Sequence, residues 1–261
     1  MTQPFNPAGD GQPAGPAPDT TAAGSRAAGG TGPGVPLSIW PGLPAHDIRD
    51  GQSCGGPVTT AAARRVIDTF SRPGDLVAAA GGCSPAVTEA AAAAGRRVLA
   101  LVPDGRSGYP LPVPYPVIRL RPGGPAYALA PGNPVTGQAA LAVAGCCGSG
   151  CCASPGTSGQ GDRDAGLLYA ACERLLRPGG VLAVIAGPAA PGGTLADTAG
   201  SAVAAARAAG LVYAQHIVLV RAAIDGDRLD PAAPDPGPGP DLPGPVHDDL
   251  LVFTKPGGAR P

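Results

Sequence analysis

Residues 70–102 read FSRPGDLVAAAGGCSPAVTEAAAAAGRRVLALV, and this stretch decides the fold. Ser71 to Asp75 breaks whatever precedes it, because Pro73 and Gly74 suit a turn. Leu76 to Ala80 is a short apolar run without alternation, the pattern of a strand buried on both faces. After Gly81-Gly82-Cys83, the run Pro85 to Ala94 predicts a helix. Ser84 is its cap, Pro85 suits its first position, and Gly95 is placed to close it in the left-handed conformation. Arg96 and Arg97 then stand near the negative end of its dipole. Val98 to Val102 is a second buried strand, ended by Pro103 and Asp104. Strand, glycine-bearing turn, helix and strand form one unit of a parallel sheet.

The unit repeats on both sides. Upstream, Val58 to Phe70 predicts an amphipathic helix with Ala62, Val66 and Phe70 on one face and Arg64, Arg65 and Asp68 turned away. Downstream, Val117 to Leu120 and Ala140 to Ala144 are strand candidates. Ala165 to Leu176 is a helix with Leu168, Ala171, Cys172 and Leu175 on its stripe. Arg177 to Gly180 stops it, and Val181 to Ala186 follows as a strand. Leu195 to Ala209 is an Ala-rich helix halted by Gly210. Tyr213 to Arg221 and Leu250 to Lys255 are the last strands, and with no helix between them they are expected to pair antiparallel. The predicted fold class is α/β: a doubly wound, mostly parallel sheet with an antiparallel terminal strand.

Composition sets the limits of the folded region. Gly 42 and Pro 34 together make more than a quarter of the 261 residues, while aromatic residues are only 3%. The core must therefore be built from Ala, Val and Leu. Residues 1–36 carry almost no large apolar side chain and are expected to be a disordered Pro/Gly-rich tail, because they bury too little to offset their ordering entropy. Pro231 to Pro245 is expected to be an extended loop. Residues 37–256 are then one domain, and 257–261 a disordered end.

Net charge is −1, which exerts no global pull on nucleic acid or anionic membrane. No run of apolar residues is long enough to cross a membrane as a helix. With no basic stretch leading into an apolar one, no secretory signal is expected. The seven cysteines are an odd number, and reduced thiols in the cytoplasm are the expectation.

Three segments, in this order, resemble S-adenosylmethionine-dependent DNA methylases of the N4-cytosine/N6-adenine type. FSRPGDLV (70–77) is similar to the start of the pattern PGD-hydrophobic-hydrophobic-D-P-x-x-G-x-G. LLRPGGVLAV (175–184) is similar to the helix, turn and strand that follow the catalytic loop. HDDLLVFTKP (247–256) resembles the closing strand, H-E-x-L-V-F-x-K/R-P, and Ser38-Ile39-Trp40 stands where an S-V-W opening is expected. The resemblance implies the class I methyltransferase version of the doubly wound sheet, S-adenosylmethionine as cofactor and DNA as partner. It implies Gly81, Gly82, Ser84 and Asp104 as cofactor contacts. The physical logic is that a glycine turn opening a helix exposes backbone N–H groups, and an acid after the next strand suits a ribose diol. Read from the residues alone, Gly81-Gly82 also fits a plain tight turn, and Asp104 a solvated loop acid.

The chain departs from the pattern at the points that carry chemistry. Ala79 and Ala80 stand where the family has Asp-Pro, Ser84 where it has the second glycine, and Cys54-Gly55 near its upstream H-P. The strand Ala140 to Ala144 should lead into a [D/N/S]-P-P-[Y/F/W] loop. Instead Gly145 to Gly156 reads GCCGSGCCASPG, with no aromatic ring to stack on a flipped base. The expectation is weakened or lost catalysis. A non-catalytic binding or assembly protein on the same fold, and a methyltransferase for a non-DNA substrate, are the alternatives.

Cys146, Cys147, Cys151 and Cys152 fall in that loop. Cys147 and Cys151 fit one zinc-type spacing, but adjacent cysteines chelate one ion poorly and no histidine is near, so no metal site is expected. A redox thiol pair or a loop without chemical role are the other readings. Cys54, Cys83 and Cys172 read as small hydrophobes or turn residues. His216, inside a strand, reads as a satisfied histidine more than a base. Arg64-Arg65, Arg96-Arg97, Arg119 and Arg121 read as solvated faces first and phosphate contacts second.

Overall fold

Pro73 and Gly74 make the predicted turn. The Asp75 amide donates to the Arg72 carbonyl (3.0 Å), and the Asp75 carboxylate accepts from the Arg72 amide (2.9 Å). The turn delivers the chain into Leu76–Ala80, a strand of which every residue is buried. The computed structural model describes residues 34–41, 58–81, 84–103, 115–120, 133–147, 160–187, 197–221, 223–225, 228–230 and 246–257.

The described elements, in chain order, are β1 (Leu37–Trp40), α1 (Thr60–Phe70), β2 (Leu76–Ala80), α2 (Ser84–Ala93), β3 (Arg97–Pro103), β4 (Val117–Leu120), β5 (Ala139–Cys147), α3 (Gln160–Leu175), β6 (Leu176–Gly187), α4 (Thr198–Ala208), β7 (Val212–Val220), β8 (Ala223–Asp225), β9 (Arg228–Asp230) and β10 (His247–Thr254). Eight of the strands form one sheet in the order β1-β7-β10-β6-β5-β2-β3-β4, and β8 and β9 form a separate hairpin. Pairing is parallel everywhere in the large sheet except around β10, which runs antiparallel to both β6 and β7. From β2 the chain winds outward through β3 to β4. It then returns to the other side of β2 for β5 and β6. A terminal strand inserted antiparallel between β6 and β7 completes the strand order of the class I methyltransferase fold.

Alternation along each strand supplies two core layers. Val77, Ala79, Leu141, Ile185 and Leu250 pack with Ala63, Val66, Ile67, Val87 and Ala91 of α1 and α2. Leu76, Ala78, Ala80, Leu182, Val184 and Phe253 pack with Leu168, Tyr169, Leu175, Ala202 and Ala206 of α3 and α4. Both faces being covered is why the strands read as unbroken apolar runs.

Several boundaries differ from the sequence reading. α1 starts at Thr60 because the Thr59 hydroxyl accepts from the Ala62 amide (3.1 Å) and caps it. α4 starts at Thr198, not Leu195, because the Asp197 carboxylate accepts from the Gly200 amide (2.7 Å). α3 begins five residues earlier than expected, at Gln160. The predicted stop at Arg177 to Gly180 is instead the bulged start of β6. Ala139 pairs with Leu176 and Leu141 with Val181, so the RPGG residues stand opposite Ala140 alone and bulge out of register. The end of β10 holds them in the sheet: the Gly179 amide donates to the Lys255 carbonyl (3.0 Å), and the Lys255 amide to that of Gly180 (2.9 Å). The edge strand β1 and the β8–β9 hairpin were not anticipated. β1 is too short and too exposed to carry a burial pattern, with Leu37 and Ile39 about two-thirds exposed. α2 closes as predicted. Gly95 takes φ +72°, its amide donates to Ala92 and that of Arg96 to Ala91, the Schellman pattern.

Candidate cofactor site

The point where the winding reverses lies between β2 and β5, and in such sheets ligands bind beyond the carboxyl ends of the strands there. Ala80 closes β2, flanked in register by Leu101 of β3 and Ala144 of β5. The next residue, Gly81, is buried and takes φ +79°, a conformation that an L side chain adopts only with strain. α2 opens three residues later at Ser84. The strand and helix expected from residues 76–94 are therefore present, and the ends of β2 and β3 lie side by side.

The four predicted contacts fare differently. Gly81 sits at the end of β2, as described. Ser84 is the first residue of α2. Gly82 and Asp104 lie outside the described residues; β3 runs as far as Pro103, the residue before Asp104. Where the resembled pattern has Asp-Pro, Ala79 and Ala80 are 0% and 1% exposed. Their side chains belong to opposite core layers, Ala79 under α1 and α2 and Ala80 under α3 and α4. β5 carries the chain toward the predicted catalytic loop. It ends at Cys146 and Cys147, opposite Ala186 and Gly187 of β6. Cys54, Cys83, Cys151 and Cys152 lie outside the described residues.

The same edge continues through β6, β7 and β10. The Thr198 hydroxyl donates to the Gly187 carbonyl (3.0 Å), fixing the start of α4 to the end of β6. Asp248, at 3% side-chain exposure, accepts two bonds of 2.6 Å from the Arg221 guanidinium, itself at 14%. Burial pushes the Asp248 carboxyl above its ordinary value, and the Arg221 bonds pull it back. His216 Nε2 is 2.9 Å from Asp249 Oδ1, so the histidine is satisfied, as its strand position suggested. The quoted segment HDDLLVFTKP contains both aspartates. Their partners, Arg221 just after β7 and His216 within it, were not legible, because 27 and 33 residues separate the members of each pair.

Three of the arginines read as possible phosphate contacts, Arg65, Arg96 and Arg97, are engaged within the fold. Arg65 lies 4.7 Å from the centre of the Trp40 ring and donates to the Pro41 carbonyl (3.2 Å). Arg96 donates to the Ser71 hydroxyl and carbonyl (3.2 and 3.1 Å) and pairs with Asp68 (3.2 Å), tying the ends of α1 and α2 together. Arg97 donates to the Gly74 carbonyl (3.3 Å). Arg121 lies outside the described residues.

Two of the motif segments meet at the opposite edge, where the parallel strands begin. Arg177 of RPGG pairs with Asp75 of PGD at 3.2 Å. Lys255 donates to the Glu173 carbonyl (2.8 Å) and pairs with its carboxylate (3.0 Å), closing the last turn of α3. These motif residues hold the frame and stand away from the candidate crevice. Cys172 is fully buried, and burial pushes its thiol from 9.0 to about 12, so it stays a neutral small hydrophobe. Among the described residues no three His, Cys, Asp or Glu side chains converge on a metal position, and no helix is long and apolar enough to cross a membrane.

No family model and no curated protein matches the chain. Among solved structures it is similar to the 1,6-didemethyltoxoflavin-N1-methyltransferase of Burkholderia thailandensis, at 17% identity over 81% of this chain and 84% of that one, with a TM-score of 0.44. It is also similar to an S-adenosylmethionine-dependent methyltransferase of Corynebacterium glutamicum (16%, 74% and 86%, TM-score 0.40). A Thermus thermophilus protein described as a candidate DNA modification methylase is similar at 20% identity and a TM-score of 0.28. The chain spans 39% of that methylase's length. The methyltransferase-like character of the fold rests on its own strand order.

Proposed function

We propose that the chain is a DNA-methyltransferase-like protein of the N4-cytosine/N6-adenine type that keeps the cofactor crevice of the fold and has weakened or lost base methylation. Residues 37–256 act as one methyltransferase-like domain. The observation that supports this most is the reversal point of the sheet. There β2 ends in a positive-φ glycine three residues before α2, and β5, across the reversal point, places small residues, Ala144 and Gly145, beside that end. A ligand can approach backbone closely there, and the start of α2 aims partial positive charge at it. In this reading the Gly81 and Gly82 backbone and the Ser84 hydroxyl meet the cofactor, and Asp104 takes the ribose diol. When bound, S-adenosylmethionine supplies an electrophilic methyl group.

Weakened catalysis is supported by the loop after β5. A flipped base needs an acceptor for its amine and a ring to stack on, worth about 1–3 kcal/mol per base. Residues 145–156 contain no aromatic side chain. The same absence favours, as a second reading, a methyltransferase for a substrate other than DNA. Calorimetric titration of the purified chain with S-adenosylmethionine separates the classes. Measurable heat and a thermal shift at millimolar cofactor are expected; neither appearing removes every cofactor-dependent reading. Radiolabelled methyl transfer to unmethylated DNA is expected to stay at background, and incorporation would overturn the loss of base methylation.

A further inference from the structure

The helices run opposite to the parallel strands, so all four end at the edge where those strands begin. The connections made there, at residues 71–75, 94–96, 133–138 and 209–211, and the bulge at 177–180 are all described. Strand register aligns this edge in one row. Arg97 pairs with Leu76, Leu76 with Ala139 and Ala139 with Leu176; beyond the bulge, Val181 pairs with Thr254 and Thr254 with Val212. Six strands at about 4.8 Å each make the row roughly 24 Å long. Seven of the chain's 18 basic side chains stand along it, its one lysine among them. Two serve the frame: Arg96 is 7% exposed against Asp68, and Lys255 is paired with Glu173. Five remain accessible. Arg72, Arg174 and Arg207 are exposed, and no ion pair takes them among the described residues. Arg97 is exposed and spends its Nε donor on the Gly74 carbonyl, and Arg177 is half exposed beside Asp75. Arg174 and Arg207 stand in the last turns of α3 and α4, where the dipole favours a cation, but a dipole occupies none of the guanidinium's donors. The net charge of −1 hides this row, because the row is a matter of placement and not of composition.

We propose that the amino-end edge of the sheet, through Arg72, Arg97, Arg174, Arg177 and Arg207, binds the sugar-phosphate backbone of duplex DNA without reading its bases. Guanidinium groups take phosphate oxygens with paired donors. A row roughly 24 Å long spans about seven steps of one duplex strand at about 3.4 Å per step. The rings near the row are engaged, Phe70 stacked on Trp40 and Tyr213 against Phe253. Single-strand binding draws on such rings to stack unpaired bases, so the row suits the regular backbone of a duplex. A duplex held there is about 16 Å, the length of the five-residue β2, from the carboxyl-end crevice. The proposal therefore does not rest on the cofactor reading, and the binding it describes needs no base methylation.

The test is fluorescence anisotropy of a labelled mixed-sequence duplex of about 20 base pairs, titrated with the full chain across a salt series. A Kd on the order of 10 μM is expected at about 50 mM salt, with log K falling against log salt at a slope of about −4. A single strand of equal length should bind at least about fivefold more weakly. Arg174→Gln with Arg207→Gln should weaken duplex binding about tenfold and flatten the slope by about two, while Arg174→Lys with Arg207→Lys, which keeps both charges, should retain the slope. Removing the same charge from exposed positions of α1 and β4, Arg64→Gln with Arg119→Gln, should change the affinity by less than about twofold. Four results overturn the proposal: no duplex binding at low salt, a single strand bound as tightly as the duplex, an unmoved slope in Arg174→Gln with Arg207→Gln, or an equal loss in Arg64→Gln with Arg119→Gln. Vesicles of phosphatidylcholine with about one-third phosphatidylserine are the competing polyanion. Tighter binding to them than to the duplex would assign the row to a membrane surface and overturn the proposal as well.

Discussion

Replacing Asp248 with alanine tests how the edge at the carboxyl ends of the parallel strands is held together. The carboxylate is 3% exposed and takes two 2.6 Å bonds from a guanidinium that is 14% exposed, linking the last strand to the residue that follows β7. Removing one partner of a buried pair leaves its counter-charge desolvated without that partner, typically about 3–5 kcal/mol. The variant Asp248→Ala should therefore lose about that much in urea unfolding, with an unchanged slope if the unfolding stays two-state. The pair itself contributes far less than the broken half costs. Replacing both members with apolar residues of similar volume, Asp248→Leu with Arg221→Met, should recover most of the loss. A double-mutant cycle over Asp248→Leu, Arg221→Met and the double variant measures the coupling, expected at about 2 kcal/mol or more, toward the upper end for residues in contact. Loss below about 1 kcal/mol in Asp248→Ala, the size of a surface ion pair, would mean the pair is solvated and the geometry of this edge is wrong.

Three further outcomes follow from the packing. In Gly180→Ala, a Cβ would meet the Arg177 carbonyl oxygen at 2.9 Å, that of Ala139 at 3.0 Å and a Leu176 methyl at 3.2 Å. Overpacking against backbone should cost roughly 1–3 kcal/mol in thermal or urea unfolding, and an unchanged midpoint would contradict the bulge. Cys172 should resist alkylation in the native state and react only after unfolding. Its folded pKa is raised, so the folded chain keeps the proton longer. Its contribution is whole below pH 9.0 and is lost as pH climbs toward about 12, at about 1.4 kcal/mol per pH unit; a Cys172→Ala variant should lack that alkaline slope. Arg65→Met removes the cation over Trp40, the single tryptophan, and should shift its emission while costing about 0.5–1 kcal/mol. An unaltered spectrum would show that the two side chains do not meet.

The frame was largely legible because its signals are local. β2, α2 and β3 were readable from the apolar runs and the Pro and Gly that interrupt them, since burial on both faces and helix capping act within a few residues. The misplaced boundaries lie where a local signal competed with a distant one. Arg177 to Gly180 looks like a break, yet the end of β10, some 75 residues on, bonds Gly179 and Gly180 into the sheet. β1 has four residues, two of them exposed, and becomes a strand only because β7 supplies its hydrogen-bonding partners.

For the candidate site the division is sharper. From the sequence by itself came the order of the elements, the glycine turn after β2 and the absence of a stacking ring in 145–156. These are properties of composition and spacing, and no fold can add a side chain the chain lacks. The tertiary structure decided which strand ends lie together, that Ala79 and Ala80 are consumed by two separate core layers, and that Asp248, Asp249, Arg65 and Arg96 are already bonded. Pairing between residues tens of positions apart depends on strand register and helix packing, which arise only when the whole sheet assembles.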